Sequence, residues 1–255
     1  MGRIVIFPYK IASASSRGIA DALQRNNGKN TIRVYPNRRY TSRVDDLIVN
    51  WGNSREPQWA YNPEQILNKP SAVALAVNKL RTFEKLSEAG VRTVPWTVDI
   101  DEARQWHDIV ERHTLTGSGG AGIRISTPDT IQPAPLYTKL LNPCEEYRVH
   151  IFKGEAIDYA KKMKQREDGT YEAAPAERIK NAHNGFYFLR DVSPREGVVL
   201  RAREAIEALG LDFGAVDIIR YRDRSYVLEV GTAAGVSPMG QTAYANAITE
   251  YAEQE

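Results

Sequence analysis

One cysteine, Cys144, is the chain's whole supply, so no intramolecular disulfide and no cysteine-built metal cluster can form, which suits a reducing compartment. Histidine is nearly as scarce: His107, His113, His150 and His183 have no H-x-x-x-H spacing and no cysteine partner, leaving zinc without a ligand set. No apolar run reaches the roughly eighteen residues a membrane span needs, and MGRIVIFPYK carries apolar length for one strand only. Neither a signal peptide nor a membrane span is indicated, and a cytoplasmic protein is the expectation. An excess of one charge is missing too. The 34 basic and 32 acidic residues leave +2, too little by itself to argue for nucleic acid or a membrane surface, so local patches must carry any such claim. Repeats and low-complexity tracts are absent, and Ile6 stands where a myristoylation signal after Met1-Gly2 wants Ser or Thr.

What is there is ordinary globular composition, 42% hydrophobic and 26% charged over 255 residues, enough for one large domain or a few small ones. The first seventy or so residues alternate strand-like and helix-like runs, RIVIF, SSRGIADAL with Ser15 as N-cap, TIRVY and DDLIVNWG, the pattern of a small α/β sheet. One helix is expected from Ser71 to Gly90 and a short one near Glu102 to His107. The glycine-rich TGSGGAGIRIS reads as a hairpin with a flexible tip, and YRVHIFKGEAIDYAKKMKQR as a β meander turning at Lys153-Gly154. Helices follow at about Pro194 to Ala208 and Gln241 to Tyr251.

Between those helices lie two apolar strands, each with one acid inside it: DFGAVDIIR with Asp217 and YVLEVG with Glu229. A hairpin centred near Asp223 pairs Asp217 with Glu229, Ile219 with Val227 and Tyr221 with Ser225, leaving Val216, Ile218, Tyr226, Leu228 and Val230 as the core face. Opposed like charges are destabilising unless compensated. A hard cation would compensate them, and Mg²⁺ prefers one or two carboxylates completed by water and nucleotide phosphates. Two scattered acids on a solvent-facing hairpin is the alternative that the pair alone leaves open.

Several segments in order, NKLRTFEKLSEAGVRTVPWT, ERHTLTGSGGAGIRIS, APLYTKLL, EEYRVHIFKGEAIDYAKKMK, NAHNGF, LGLDFGAVDIIR and YVLEVGTAAG, resemble the ATP-grasp superfamily, especially its small amide-forming, ligase-like members of phage and bacterial genomes. Nearly the whole chain is covered. The resemblance implies an α/β (α+β) ATP-grasp fold: an N-terminal α/β unit over 1–75, a linker helix and central unit with the glycine-rich loop over 76–137, and a C-terminal unit with the metal site over 138–255. ATP and Mg²⁺ are the implied cofactors, with Asp217 and Glu229 as metal ligands.

The same resemblance assigns Lys79 and Arg112 to nucleotide phosphates; Arg112 stands where many members have lysine, keeping the charge and adding a bidentate fork. Ser118, Gly119, Gly120 and Gly122 fit a loop that covers phosphates with backbone N–H groups, and this is no P-loop, since no Lys-Ser/Thr follows. Lys139 and Leu141 are the expected adenine contacts, and Glu146, or less favourably Glu145, the ribose contact. Alternation along the meander puts Lys162 and Lys164 on one face and Lys161 on the other; Arg148 and Lys162 are candidates for a phosphate or acyl-phosphate. Asn181 and Asn184 are candidate metal or substrate contacts.

The implied reaction is amide formation between a carboxylate and an amine through an acyl-phosphate, with small-molecule or peptide substrates. No Ser-His-Asp or Cys-His set competes with it. A nucleotide-binding protein without ligation is the second reading, because Gly231 and Ala234 stand where the family usually carries Asn and Pro in a pattern like LEVNTAPG. A nucleic-acid binder built on KKMKQR and on Arg38, Arg39 and Arg43 lacks an RNP-type motif and a basic excess, although a nucleic-acid or protein-bound acceptor stays compatible with a ligase.

Overall fold

The computed structural model describes residues 2–35, 38–57, 59, 65–117, 122–173, 178, 180, 184–190 and 195–254. The early alternation of apolar runs becomes a parallel sheet: β1 (Ile4–Pro8), β2 (Thr31–Arg33), β3 (Leu47–Trp51) and β4 (Ile66–Leu67) in the order β2-β1-β3-β4. Every residue of β1 is buried, as expected of a strand covered on both faces. Helix α1 (Ala14–Arg25) crosses from β1 to β2, and its cap is Ser13, whose Oγ accepts from the N–H of Ser16 at 3.3 Å. Ser15, the residue expected there, instead accepts from the backbone N–H of Val236 at 3.0 Å and ties the helix to a distant loop.

The single helix expected over 71–90 is two, α2 (Pro70–Ala76) and α3 (Lys79–Glu88). Asn78 makes the break: its Oδ1 accepts from Arg81 N–H at 3.2 Å, a cap in the middle of the periodic run, while the N–H of Lys79 donates to Leu115 O at 2.8 Å. A second sheet follows, ordered β5-β8-β6-β7, from β5 (Trp96–Thr97), β6 (Ile109–Arg112), β7 (Ile123–Ser126) and β8 (Tyr137–Lys139). Helix α4 (Ile100–Ala103) starts earlier than the sequence suggests because Asp99 caps it, accepting from Asp101 and Glu102.

The third sheet runs β11-β10-β9-β13-β14, with β12 paired to β10. Its strands are β9 (Glu145–Phe152), β10 (Glu155–Gln165), β11 (Tyr171–Glu172), β12 (Phe186–Leu189), β13 (Phe213–Tyr221) and β14 (Arg224–Gly231). One face packs on helix α5 (Glu196–Ala208), where Ala202, Ala205 and Ile206 meet Val149, Val216, Ile218 and Val227 in the largest apolar cluster. Burying such a branched side chain is worth about 1.5–3 kcal/mol. The other face carries the site, except where Phe152 and Phe213 pack into the core of the first sheet around Trp51. Helix α6 (Pro238–Gln254) returns to the first sheet, and its Tyr244, Ala245 and Ile248 share a core with Ile19 and Leu23 of α1.

The final hairpin keeps the expected pairing of Asp217 with Glu229 and departs from it elsewhere. Ile218 faces Val227, Ile219 faces Tyr226 and Tyr221 faces Arg224, so the register shifts by one residue between Asp217 and Ile218. Leu228 is the extra residue of a bulge, which turns Val227 into the core and Tyr226 and Leu228 out of it. Strict alternation cannot register such an insertion.

Candidate active-site cleft

Four strands bring one row of side chains together on the open face: Ala160, Arg148, Asp217 and Glu229 are successive Cα partners across β10, β9, β13 and β14. The next row is Phe188, Lys162, Glu146, Ile219 and Tyr226. Each acid of the opposed pair has its own cation. Arg148 holds Asp217 with two bonds of 2.7 Å, and Lys79 Nζ lies 3.4 Å from Glu229 while donating to Gly117 O at 2.9 Å. Burial works against the Arg148 charge, but the bonds to Asp217 outweigh it and raise its pKa. The repulsion between the opposed acids is therefore already compensated by the protein.

Arg112 is the group that asks for a ligand. It is 4% exposed, its Nε has no hydrogen-bond partner, and burial lowers its pKa against the opposing pull of Glu229. A buried guanidinium without a bound anion is costly. Beside the acid row opens a cleft of about 680 Å³ lined by Tyr9, Lys10, Lys79, Arg148, Asp217 and Glu229, with residues 231–235 also in its lining. Tyr9, Lys10 and Gly52 follow β1 and β3, where the strand order of the parallel sheet reverses, the usual ligand position in open α/β sheets. Gly52 is required there: its φ is +90°, and a Cβ would come within 2.5 Å of Ala233 Cβ in the opposite wall.

Among the described residues no group of three or more His, Cys, Asp and Glu side chains could hold a metal alone. The donor set that exists, two carboxylates beside two phosphate-seeking cations, fits a Mg²⁺ whose remaining ligands are phosphate oxygens and water. Asp217 spends one lone pair of each oxygen on Arg148 and keeps the others for a metal.

Other expected contacts fall less well. Glu146 lies on the site face, bound by Lys162 at 2.5 Å and approached by Lys180 at 3.5 Å, so Lys162 is occupied in the free protein. Glu145 is turned to the α5 side with Lys161 and Arg220, since neighbours on a strand point to opposite faces, which removes it as a ribose contact. Leu141 is buried against Phe83, Leu136 and Ile219, forming apolar wall next to the second row. Lys139 pairs with Ile109 in the second sheet, and its N–H donates to Pro95 O at 2.8 Å. Gly122 stands just before β7, where its carbonyl accepts from His113 N–H at 2.8 Å. Asn184 is exposed and precedes β12, whose Phe186 pairs with Lys164, four residues along β10 from Ala160 of the acid row and so roughly 13 Å from it at 3.3 Å per residue. Ser118, Gly119, Gly120 and Asn181 lie outside the described residues.

Sequence reasoning missed Tyr9, Lys10 and the 232–235 wall, although their place after parallel strands was a usable signal. It also missed Lys180, whose Nζ, nearly buried, donates to Cys144 O at 2.8 Å as well as facing Glu146. No local motif marks it.

Two outcomes are expected from the cleft itself. A Cβ on Gly231 would meet only Ala215 O and Ala234 Cβ, both at 3.8 Å, so Gly231→Asn should fold with a stability change within about 0.5 kcal/mol. It should also lower the Mg²⁺ concentration that gives half of the nucleotide-induced rise in melting temperature. Behind the row, His150 is buried, its Nδ1 3.1 Å from Tyr244 Oη, and burial pushes its pKa down from 6.5 to about 4 despite Asp158 and Asp217; Arg148 and Arg190 add to the depression. Below pH 6.5 the unfolded chain takes up a proton that the folded chain refuses until about pH 4. Stability is thus complete above that window and lost as pH falls through it, by about 3 kcal/mol. Unfolding free energies of wild type and His150→Gln from urea melts should diverge by this amount in total between the two ends of the window.

No protein-family model and no curated protein matches the sequence. Solved structures do match. A D-alanine--D-alanine ligase from Bacillus anthracis superimposes with TM-score 0.65 over 100% of this chain and 98% of its own, at 13% identity. The ATP-grasp ligase PsnB, complexed with a phosphomimetic variant of its minimal precursor, Mg and ADP, gives 0.67 over 98% and 97% at 14% identity. A RimK domain ATP-grasp protein from Sphaerobacter thermophilus DSM 20745 gives 0.63 over 98% of each chain at 13% identity. The chain has the ATP-grasp fold. In ATP-grasp terms the cleft lies where the open face of the third sheet meets Lys79 and Gly117 on one side and the parallel sheet on the other.

Proposed function

We propose that the protein is an ATP-dependent, ADP-forming ligase that joins a carboxylate to an amine through an acyl-phosphate. The observation that carries this reading is the unpartnered, buried Arg112 beside an acid pair whose two carboxylates open into one cleft. Arg112 and Lys79 bind phosphate oxygens, and Asp217 and Glu229 hold Mg²⁺, which when bound neutralises charge on the phosphates. A substrate carboxylate oxygen then attacks the γ-phosphorus and ADP leaves. The amine attacks the acyl carbon, phosphate leaves, and the amine's proton passes to solvent or phosphate. Such a sequence needs positioning and charge neutralisation more than a protein nucleophile, and the serines that line the cleft, Ser13 and Ser15, are engaged by the backbone N–H groups of Ser16 and Val236.

The reading carries a division of labour with it: units 1–75, 76–137 and 138–255 supply the substrate wall, the phosphate cover and the metal face. The hydrogen bonds of β8 to β6 favour moving the second boundary past Lys139. The ligases similar in fold include one complexed with a precursor, Mg and ADP, which supports a peptide or small-molecule substrate here. No helix among the described residues is long and apolar enough to cross a membrane. Nucleotide binding without ligation is the second reading, favoured by one observation: Gly231 offers no side chain toward the acid row.

Hydroxylamine separates the two. A ligase releases ADP, not AMP, in the presence of its carboxylate, and hydroxylamine traps the acyl-phosphate as a hydroxamate. Mg²⁺-dependent ATP binding with no hydroxamate from any carboxylate in a broad panel would leave binding alone.

A further inference from the structure

Charge is sharply segregated along the chain. Residues 1–44 contain nine basic residues and one acid, Asp21, a local +8 against −6 for all the rest within the total of +2. The fold uses only part of it. Arg3 is held by Asp46 and Lys29 by Glu253, whereas Lys10, Arg17, Arg38, Arg39 and Arg43 are exposed and have no carboxylate partner among the described residues. The basic run KKMKQR behaves oppositely: Lys161, Lys162 and Arg166 are neutralised by Glu145, Glu146 and Glu172.

One of these cations, Lys10, lines the cleft, and Arg38 and Arg39 follow the neighbouring parallel strand β2, so that a basic ledge runs from the cleft along the carboxyl ends of β1 and β2. Tyr9 and Lys10 line the cleft, and Lys10 Nζ lies 5.1 Å from the Tyr9 ring centroid. Half-buried Arg33 anchors the ledge, donating from Nη2 to Ile11 O at 2.9 Å and Ser16 Oγ at 3.0 Å and lying 5.4 Å from the Tyr35 ring centroid, with its buried Nε unpartnered. The N–H of Arg38 then donates to Tyr35 O at 3.0 Å. Two tyrosines, each beside a cation, thus alternate with exposed arginines along the carboxyl ends of β1 and β2.

We propose that this ledge is a docking surface for single-stranded nucleic acid that leads into the cleft. Bases stack on Tyr9 and Tyr35, and phosphates meet Lys10, Arg33, Arg38 and Arg39. Arginine dominates the ledge, and its planar fork pairs with phosphate oxygens bidentately. An acidic peptide would answer the charge but gives no use to the cation-flanked tyrosine faces. Docking stands apart from ligation, so it can hold or fail whatever the cleft catalyses.

The test is fluorescence anisotropy of the full chain with a labelled 20-nucleotide single-stranded DNA of mixed sequence over a salt series, beside a labelled polyglutamate peptide. The oligonucleotide should bind with a log–log salt slope of about −3, four phosphates at roughly 0.7 each. Arg38→Glu with Arg39→Glu should weaken it at least about tenfold, and Tyr35→Ala about tenfold, while the melting temperature of the charge variant and its ATP-induced rise stay as in wild type. Absence of oligonucleotide binding at low salt, tighter binding of polyglutamate, or equal binding by wild type and the charge variant overturns the proposal.

Discussion

Asp217→Asn is expected to cut ATP turnover by about a thousandfold, roughly 4 kcal/mol of lost transition-state stabilisation, with the fold intact. Asparagine keeps the shape and one acceptor for Arg148 while removing the charge that faces the metal. The melting temperature should stay close to wild type, because half of the bidentate contact to Arg148 survives. Asp217→Ala is a different experiment. It strands the Arg148 guanidinium, 27% exposed at the side chain, and breaking such a partly buried pair costs up to about 3–5 kcal/mol. Comparing the two separates the loss of chemistry from the loss of structure. Turnover that survives Asp217→Asn means that the acid pair serves the hairpin and not the nucleotide.

Arg112→Met should leave the nucleotide-free protein as stable as wild type or more so, and yet remove most of its response to ATP. The guanidinium is buried, its Nε bonds to nothing, and burial depresses its pKa, so in the free protein its charge is a liability that a methionine of similar length relieves. With a phosphate in place the same group supplies charge-assisted hydrogen bonds worth about 1.5–3 kcal/mol, so nucleotide affinity should fall about 10- to 100-fold. Differential scanning fluorimetry with and without Mg²⁺ and ATP reads both quantities at once. A stability loss of several kcal/mol with an unchanged nucleotide response would make Arg112 a packing residue.

The architecture was legible because its signals are ordered and local. Alternating runs give the parallel sheet, Lys153-Gly154 the meander turn, and two acids in apolar strands the opposed pair of the last hairpin. What escaped is what periodicity cannot encode. Asn78 caps a helix inside an uninterrupted helical pattern, and Leu228 adds one residue to a strand without changing its composition. Glu145 and Glu146 are alike in sequence and separated by the sheet they straddle. The site shows the same divide. Its charged row could be named from two strands, but the partners that tune it, Lys79 on Glu229 and Lys180 on Glu146, come from segments remote in the chain. The compensation of the acid pair by Arg148 and Lys79 also shows that opposed carboxylates alone do not demand a metal. The unpartnered Arg112 argues instead for a bound anion.

The most direct measurement is a crystal structure of the chain with Mg²⁺ and a non-hydrolysable ATP analogue. The account predicts the triphosphate on the open face of the third sheet, its metal on Asp217 and Glu229, and a phosphate oxygen within hydrogen-bond reach of Arg112. A nucleotide bound elsewhere, or bound there with Arg112 still unpartnered and no metal on either acid, would contradict it.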